Sequence, residues 1–211
     1  MRRKLFTLLF VAMAFIAGAA NQNIKLSANR TAATVQESNM KQLNVHFSYA
    51  NIHSQDVNTK NGEFAELDVP GTYFTGKIAE AKLPASKELI AIPFGANVTV
   101  SVKNYSVQEY KLSDYGVTNQ LMPTQPSMRK DQKPSDMKFQ YNKAAYNMGY
   151  TKGDIASVEV LGTLRGMRLA RLTVEPVQYN AAEGTITVYN DMDVEVSFND
   201  GDGALTKYLM D

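Results

Sequence analysis

Short runs in which apolar and polar residues alternate recur along most of the chain. A period of two is typical of a β-strand with one buried face, because successive side chains point to opposite sides. The clearest runs are Leu43–Tyr49, Val98–Val102, Val158–Val160, Met167–Val174, Thr185–Val188 and Val194–Phe198. Short strands separated by Gly, Pro and Asn residues favour an all-β fold, and we predict an antiparallel β-sandwich.

Two local patterns within this strand-rich part predict a helix and a hairpin. Ala144, Ala145 and Met148 lie at helical spacing, so we predict at most one short helix, around Lys143–Met148. The last two strand-like runs are joined by Tyr189–Met192, which contains the turn residues Asn and Asp. This connection predicts a β-hairpin.

Changes in composition along the chain predict four segments. Residues 1–20 combine a basic start, an apolar run at Leu5–Ile16 and small residues at the end, the pattern of a secretory signal peptide. Residues 21–40 are polar without a clear period, and we expect a loose leader. Residues 41–200 are expected to form one β-sandwich domain, and residues 201–211 a linker toward a following segment.

The N-terminal pattern predicts an exported protein, located in the periplasm or outside the cell. Its apolar run is shorter than the roughly 20 residues that a membrane-spanning helix needs, and no later segment is long and apolar enough. The chain has no cysteine, so we expect core packing rather than disulfides to stabilise it and exclude a lipoprotein anchor.

The charge balance gives no indication of a nucleic-acid partner. Lys and Arg number 22, and Asp and Glu number 21. Removing residues 1–20 takes away three basic residues and no acidic ones, so the formal net charge changes from +1 to about −2. Nucleic-acid binding needs a clustered basic face, which this sequence does not suggest.

The sequence contains few of the residues that carry enzymatic chemistry. Without cysteine it has neither a thiol nucleophile nor a thiolate metal site. We interpret His46 and His53 as ordinary surface or half-buried residues, since neither has catalytic partners at a telling spacing. Asp200–Asp202 resembles a calcium loop but lacks the further oxygen ligands of an EF-hand, so a turn is preferred. We predict no catalytic residue, metal or cofactor.

The segment Leu121–Pro134 can form neither a helix nor a central strand. Three prolines interrupt it, namely Pro123, Pro126 and Pro134. Proline fixes φ and has no backbone donor, so an exposed loop is predicted. The loop carries a basic pair, Arg129 and Lys130, which a trypsin-like or lysine-specific peptidase would bind. Loops on rigid scaffolds commonly carry binding sites.

Several longer stretches match a known family by their length and order. They are NIKL at Asn23–Leu26, VPGTYFTG at Val69–Gly76, KELIAIPFGA at Lys87–Ala96, LMPTQPSM at Leu121–Met128, VEVLGTLRGMRLARLTVEPVQYN at Val158–Asn180 and VEVSF at Val194–Phe198. With these stretches the chain resembles the N-terminal prodomain of the gingipains, which are secreted cysteine peptidases. The resemblance is strongest to the prodomain of the lysine-specific member.

The resemblance implies a β-sandwich prodomain that assists the folding of a gingipain-like cysteine peptidase and keeps it latent, in cis or in trans. It also implies that one basic loop residue enters the S1 pocket of the catalytic domain. The matching position is Lys130, with Arg129 as the rival if the partner prefers arginine. The loop prolines would lower the entropy lost on binding. The family's catalytic domain is absent from this sequence, so we expect no peptidase activity.

Two alternatives remain open on the sequence alone. Lys130 could be a solvated loop lysine, as most surface lysines are. The chain could also be a free-standing secreted binding or adhesion sandwich without a peptidase partner, because a fold does not determine a function. Binding to cells or glycans would favour this second interpretation.

Overall fold

The computed structural model describes residues 22–133, 136–148 and 153–210. The predicted signal peptide at residues 1–20 and Pro134 lie outside these ranges. The strands in the described ranges are β1 (Gln22–Lys25), β2 (Ala32–Ser38), β3 (Gln42–Ser48), β4 (Asn51–Thr59), β5 (Gly62–Asp68), β6 (Tyr73–Thr75), β7 (Leu83–Ile92), β8 (Asn97–Val102), β9 (Ser106–Lys111), β10 (Ala156–Leu164), β11 (Met167–Val174), β12 (Val177–Asn180), β13 (Thr185–Asn190) and β14 (Met192–Asn199). Its helices are a 3₁₀ turn at Leu112–Tyr115, α1 (Lys143–Asn147) and α2 (Gly203–Met210). No helix in the described ranges is long and apolar enough to cross a membrane.

The strands form four antiparallel sheets that enclose one hydrophobic core. The sheet orders are β1-β4-β5, β10-β11-β7-β6, β12-β13-β9 and β2-β3-β14-β8. Each sheet contributes buried side chains to the same core, for example Ile52, Leu172, Ile186 and Val45. The predicted all-β, antiparallel class is confirmed.

The alternation in the sequence corresponds to the two faces of the sheets. In β3, Leu43, Val45 and Phe47 are buried while the residues between them are only half-buried. β14 pairs with β3 so that Val194 lies opposite Val45, and both side chains enter the core. Complete burial of such a side chain stabilises the folded state by roughly 1.5–3 kcal/mol, so these positions dominate the choice of face.

The prediction of a loose leader at residues 21–40 is wrong. β1 pairs with β4 and buries Ile24 completely, and β2 pairs with β3. The residues of β2 are exposed or half-buried along its whole length. An edge strand of this kind is stabilised mainly by backbone hydrogen bonds to its neighbour, so its sequence needs no alternating apolar face.

The predicted hairpin at Tyr189–Met192 is also wrong. β13 pairs with β12 and β9, whereas β14 pairs with β3 and β8 in a different sheet. Asp191 between them has a φ of +49° and redirects the chain from one sheet to the other. Turn residues indicated the change of direction, but they carry no information about which strands pair afterwards.

The side chain of Asn190 stabilises this crossover. Its Oδ1 accepts hydrogen bonds from the backbone N–H groups of Tyr49 (2.7 Å) and Asp191 (2.9 Å). Its Nδ2 donates to the carbonyl of Tyr49 (2.8 Å) and to Ser27 Oγ (3.1 Å). Asn190 is only 3% exposed. Its amide therefore satisfies buried backbone groups that lie beyond the end of β3.

Both helices are short and capped by a polar side chain. The helix predicted around Lys143–Met148 is α1, and Asn142 Oδ1 accepts a hydrogen bond from Ala145 N (3.2 Å). At most one short helix was predicted, whereas the described ranges contain a second one, α2, in the segment predicted as a linker. Asp202, part of the calcium-like sequence, caps α2 by accepting from Leu205 N (2.9 Å).

Asn190→Ala should lower the free energy of unfolding by roughly 2–4 kcal/mol, because it leaves the N–H and C=O groups of Tyr49 buried without a partner. Urea unfolding followed by circular dichroism measures the change. Asn199→Ala, at the exposed end of β14, is the control and should change stability by less than about 0.5 kcal/mol. Equal effects of the two substitutions would contradict the structural role of Asn190.

Asp193 forms a polar pair with His46 across β14 and β3. His46 Nδ1 lies 2.8 Å from Asp193 Oδ1, and Asn104 Nδ2 donates to Asp193 Oδ2 (3.2 Å). The hydrogen bond from His46, followed by that from Asn104, holds the pKa of Asp193 below its ordinary value of 3.8. The pair therefore stabilises the fold only while this carboxylate is ionised.

The lowered pKa predicts the direction of the pH dependence. Asp193 contributes its full stabilisation above its ordinary pKa of 3.8, and this contribution is lost as the pH falls through the lower folded-state value. The urea midpoint of the wild type should therefore decrease as the pH falls below 3.8, and the midpoint of Asp193→Asn should decrease less steeply over the same range. Asp68→Asn, the same change of charge on β5, is the control. A variant profile identical in shape to the wild type would contradict this assignment.

Candidate functional site

The described part of the predicted loop, residues 121–133, contains no helix and no strand beyond two isolated bridges at Leu121 and Pro123. The loop was expected from its prolines, and its existence is confirmed. Its two ends are attached to the sandwich by the hydrogen bonds described next. We call residues 120–125 and 140–146 the loop base, and residues 126–139 the loop tip.

The outgoing segment of the loop base is bonded to β5. Ala65 N donates to Gln120 O (2.9 Å), and Met122 N donates back to Ala65 O (2.7 Å). Leu121 between these bonds is completely buried in the core. The start of the loop is therefore part of the packed fold and does not lie on its surface.

The same stretch is bonded on its other side to the segment before β7. Lys82 N donates to Met122 O (2.9 Å), and Thr124 N donates to Glu80 O (2.7 Å). Ala79 N donates to Thr124 O (2.8 Å). Residues 122–124 therefore lie between β5 and the segment before β7. Hydrogen bonds to these neighbours satisfy backbone groups of the loop that are not part of any regular strand.

Two glutamines join the outgoing and returning halves of the loop. Gln125 Nε2 donates to Gln140 O (2.8 Å) and to Pro123 O (3.0 Å). In return, Gln140 N donates to Gln125 Oε1 (2.9 Å). These reciprocal bonds join the two halves of the loop where the base ends and the tip begins. We call this junction, Gln125 and Gln140, the neck.

Aromatic residues of the returning half pack against the outgoing half of the base and bind its backbone. Tyr146 of α1 is 2% exposed, and its hydroxyl donates to Leu121 O (2.7 Å). The ring of Tyr141 stacks on that of Tyr146 with 4.7 Å between centroids. Burial, followed by the neighbouring Tyr179, raises the pKa of Tyr146 far above its ordinary value. Its hydroxyl therefore remains a protonated donor at any physiological pH.

The basic pair lies at the exposed tip of the loop. Arg129 and Gln132 close a small turn, because Gln132 N donates to Arg129 O (3.1 Å) and Gln132 Oε1 accepts from Arg129 N (3.0 Å). Arg129 Nε lies 3.6 Å from Asp131 Oδ1, with both side chains about three-quarters exposed (75% and 76%). Lys130 is exposed and makes no hydrogen bond or ion pair with any residue in the described ranges.

These differences separate the two candidate residues. The Arg129–Asp131 pair is solvated and weak, but it partly neutralises the Arg129 charge. The ammonium group of Lys130 has no such partner among the described residues, so it carries the uncompensated charge of this pair. Lys133 and Lys138 of the tip are also exposed. That Lys130 occupies a pocket of a partner protein remains a prediction.

The loop prolines lie at different depths. Pro123 is buried within the base, and Pro126 is half-buried where the tip begins. Pro134 is outside the described residues. At these positions Pro123 and Pro126 would restrict the backbone where the chain passes from the base to the tip. Their effect on binding stays a prediction.

The two histidines lie on adjacent segments of the chain but on different strands. His46 belongs to β3 and pairs with Asp193, while His53 is half-buried within β4 rather than in a turn. The described ranges contain no group of three or more His, Cys, Asp or Glu side chains arranged to hold a metal ion. Neither histidine lies at the loop described above.

Comparison with known proteins identifies the chain by similarity over nearly its whole length. The sequence model of the family Propeptide_C25 matches residues 22–208. Lys-gingipain HG66 of Porphyromonas gingivalis is 41% identical over 194 residues, which cover 92% of this chain and 11% of that protein. Lys-gingipain W83 of the same organism is 40% identical with the same coverage. The chain thus spans only about a tenth of the length of these curated relatives.

Two solved structures resemble the fold. The first is described as structural insight into zymogenic latency of gingipain K from Porphyromonas gingivalis, with a TM-score of 0.80, 40% identity, and coverage of 85% of this chain and 99% of that one. The second, a complex of Porphyromonas gingivalis RgpB pro- and mature domains, has a TM-score of 0.67 and 20% identity, and covers 81% of this chain and 87% of that one. At this lower identity the second likeness shows the fold alone.

The resemblance inferred from the sequence is therefore confirmed. The family model covers most of the chain, and the similarity lies in a propeptide rather than in a catalytic domain. This chain belongs to the Propeptide_C25 family and is a propeptide of the gingipain type.

Proposed function

We propose that this chain keeps a gingipain-type cysteine peptidase latent and assists its folding, in cis or in trans. The similarity to a structure described in terms of the zymogenic latency of gingipain K supports this function. The observation that carries the proposal is the contrast between the loop base, bonded on both sides, and a tip that presents Lys130. Such a loop is preorganised to enter a cleft.

Lys130 occupies the S1 pocket of the peptidase in this mechanism. A lysine ammonium is a compact cation on a long apolar stem, so it can reach a carboxylate at the end of a narrow pocket. Because the base holds residues 122–125 in place, less conformational entropy is lost when the tip binds. An occupied S1 pocket excludes the lysine of a substrate, so inhibition is competitive.

Lysine is preferred over arginine at this position for two reasons. The curated relatives at 40–41% identity are named Lys-gingipains, which favours a partner that accepts lysine. Arg129, the rival, lies beside Asp131, which partly neutralises its charge, whereas Lys130 has no such neighbour among the described residues. Arg129 then remains at the rim of the cleft.

Export of the chain completes the proposal. Residues 1–20 act as a signal peptide, and the propeptide accompanies or meets its peptidase in the periplasm or outside the cell. The fold is suited to that environment because it contains no cysteine and depends on one continuous core.

Lys130→Ala should raise the inhibition constant by ten- to a thousandfold, since loss of a pocket-filling anchor costs roughly 2–4 kcal/mol of binding. Arg129→Ala, which removes the neighbouring charge, is the matched control and should change the constant by less than about threefold. The measurement is titration of each folded chain, residues 21–211, against a lysine-specific gingipain-type peptidase hydrolysing a small lysine substrate.

Two results would contradict this account at different levels. Equal inhibition by wild type and Lys130→Ala would remove Lys130 from the mechanism but leave the latency function. No inhibition by the folded wild-type chain would contradict the latency function itself and favour a secreted binding sandwich.

Gln125→Ala should loosen the tip without unfolding the sandwich. The substitution removes the bonds that close the neck, so amide hydrogen exchange at residues 127–133 should accelerate and inhibition should weaken by about tenfold, while the urea midpoint changes little. Gln55→Ala, an exposed glutamine on β4, is the control. Unchanged exchange at the tip in Gln125→Ala would show that the neck does not depend on this pair.

A further inference from the structure

A strained turn beside the loop base presents a large apolar side chain to solvent. Glu80 N donates to Lys77 O (3.0 Å) and closes a four-residue turn at Lys77–Glu80. Ala79 in this turn has a φ of +72°, a conformation that residues with a Cβ rarely adopt. Ile78 occupies the apex and is 57% exposed. Exposed turns usually carry Gly, Asn, Asp or Ser instead, because those residues suit turn geometry.

The turn is fixed to both halves of the loop base. Ala79 N donates to Thr124 O (2.8 Å), and Asn142 N donates to Ala79 O (2.9 Å). Gly76, just before the turn, lies so close to the loop base that a Cβ on it would be 2.4 Å from Thr124 Oγ1. The turn, which we call the Ile78 turn, is therefore rigidly connected to the segment that carries the tip.

Two further large apolar side chains are exposed on the returning half of the loop and at the end of the helix that follows it. Tyr141 is 38% exposed and directly precedes Asn142, which bonds to Ala79. Met148, at the end of α1, is 63% exposed. Strained backbone that the surrounding structure holds in place is commonly found at functional sites. The positive φ of Ala79 is strain of this kind, and it directly follows the exposed Ile78.

The size of a stable protein interface indicates what covers this surface. Such interfaces bury about 800 Å² on each partner and involve roughly 20–30 residues a side. The described residues of the tip, 126–133 and 136–139, are too few to supply that area alone. A protein that takes the tip into its cleft must also contact what surrounds the neck, and the Ile78 turn is rigidly attached there.

We infer that the Ile78 turn is a second docking element, which inserts Ile78 into an apolar depression on the peptidase catalytic domain beside the S1 pocket. This inference rests on the proposed latency function and identifies a further part of the same interface. The turn and Lys130 then bind as one rigid unit, so the turn sets the depth at which the tip enters the cleft.

Ile78→Glu should raise the inhibition constant by about ten- to a hundredfold, because it places a charge in an apolar contact. Val35→Glu is the matched control, since Val35 is β-branched, 59% exposed and located on β2. The sheet that contains β2 makes no hydrogen bond to the loop base among the described residues. Val35→Glu should inhibit like the wild type. Ile78→Ser serves as a second variant if Ile78→Glu is poorly folded, and should weaken inhibition by about tenfold.

The assay distinguishes failure of this inference from failure of the proposed function. If wild type, Val35→Glu and both Ile78 variants inhibit equally, the Ile78 turn is not a docking element, while the latency function stands. If the folded wild type does not inhibit, both are overturned.

Discussion

The hydrogen-bonded base of the loop is the constraint on which the proposed site depends. A long segment interrupted by prolines cannot join a sheet, yet its buried backbone groups need partners. Ala65 supplies them on one side, Lys82 and Glu80 on the other, and the Tyr146 hydroxyl reaches the carbonyl of Leu121. This arrangement joins the loop to the core, so the position of the tip is determined by the sandwich.

The sequence predicts those parts of the fold whose burial follows a local period. In β3 and β14 alternate residues enter the core, and both strands were predicted from that alternation. β2 was missed because it is exposed on both faces and depends on backbone pairing. The turn residues at Tyr189–Met192 predict a hairpin, whereas β13 and β14 pair in different sheets and Asn190 binds the distant backbone of Tyr49.

The candidate site was predictable to a similar degree. The prolines alone predict a loop, and the family resemblance selects Lys130 over its neighbours. The base could not be predicted, because Gln125 meets Gln140 and Ala79 meets Thr124 and Asn142 only after the chain has folded. Asn142 ahead of α1 was the one recognisable signal, as a helix cap. An alanine carries no sequence signal of a positive φ, so the sequence does not predict the Ile78 turn.

A crystal structure of this chain bound to a lysine-specific gingipain-type peptidase tests the central claim most directly. The account predicts the Lys130 ammonium within hydrogen-bonding distance of a carboxylate in the S1 pocket, with residues 120–125 unchanged from their positions in the free chain. A complex in which Lys130 remains in solvent, or in which the loop base separates from Ala65 and Lys82 on binding, would contradict it.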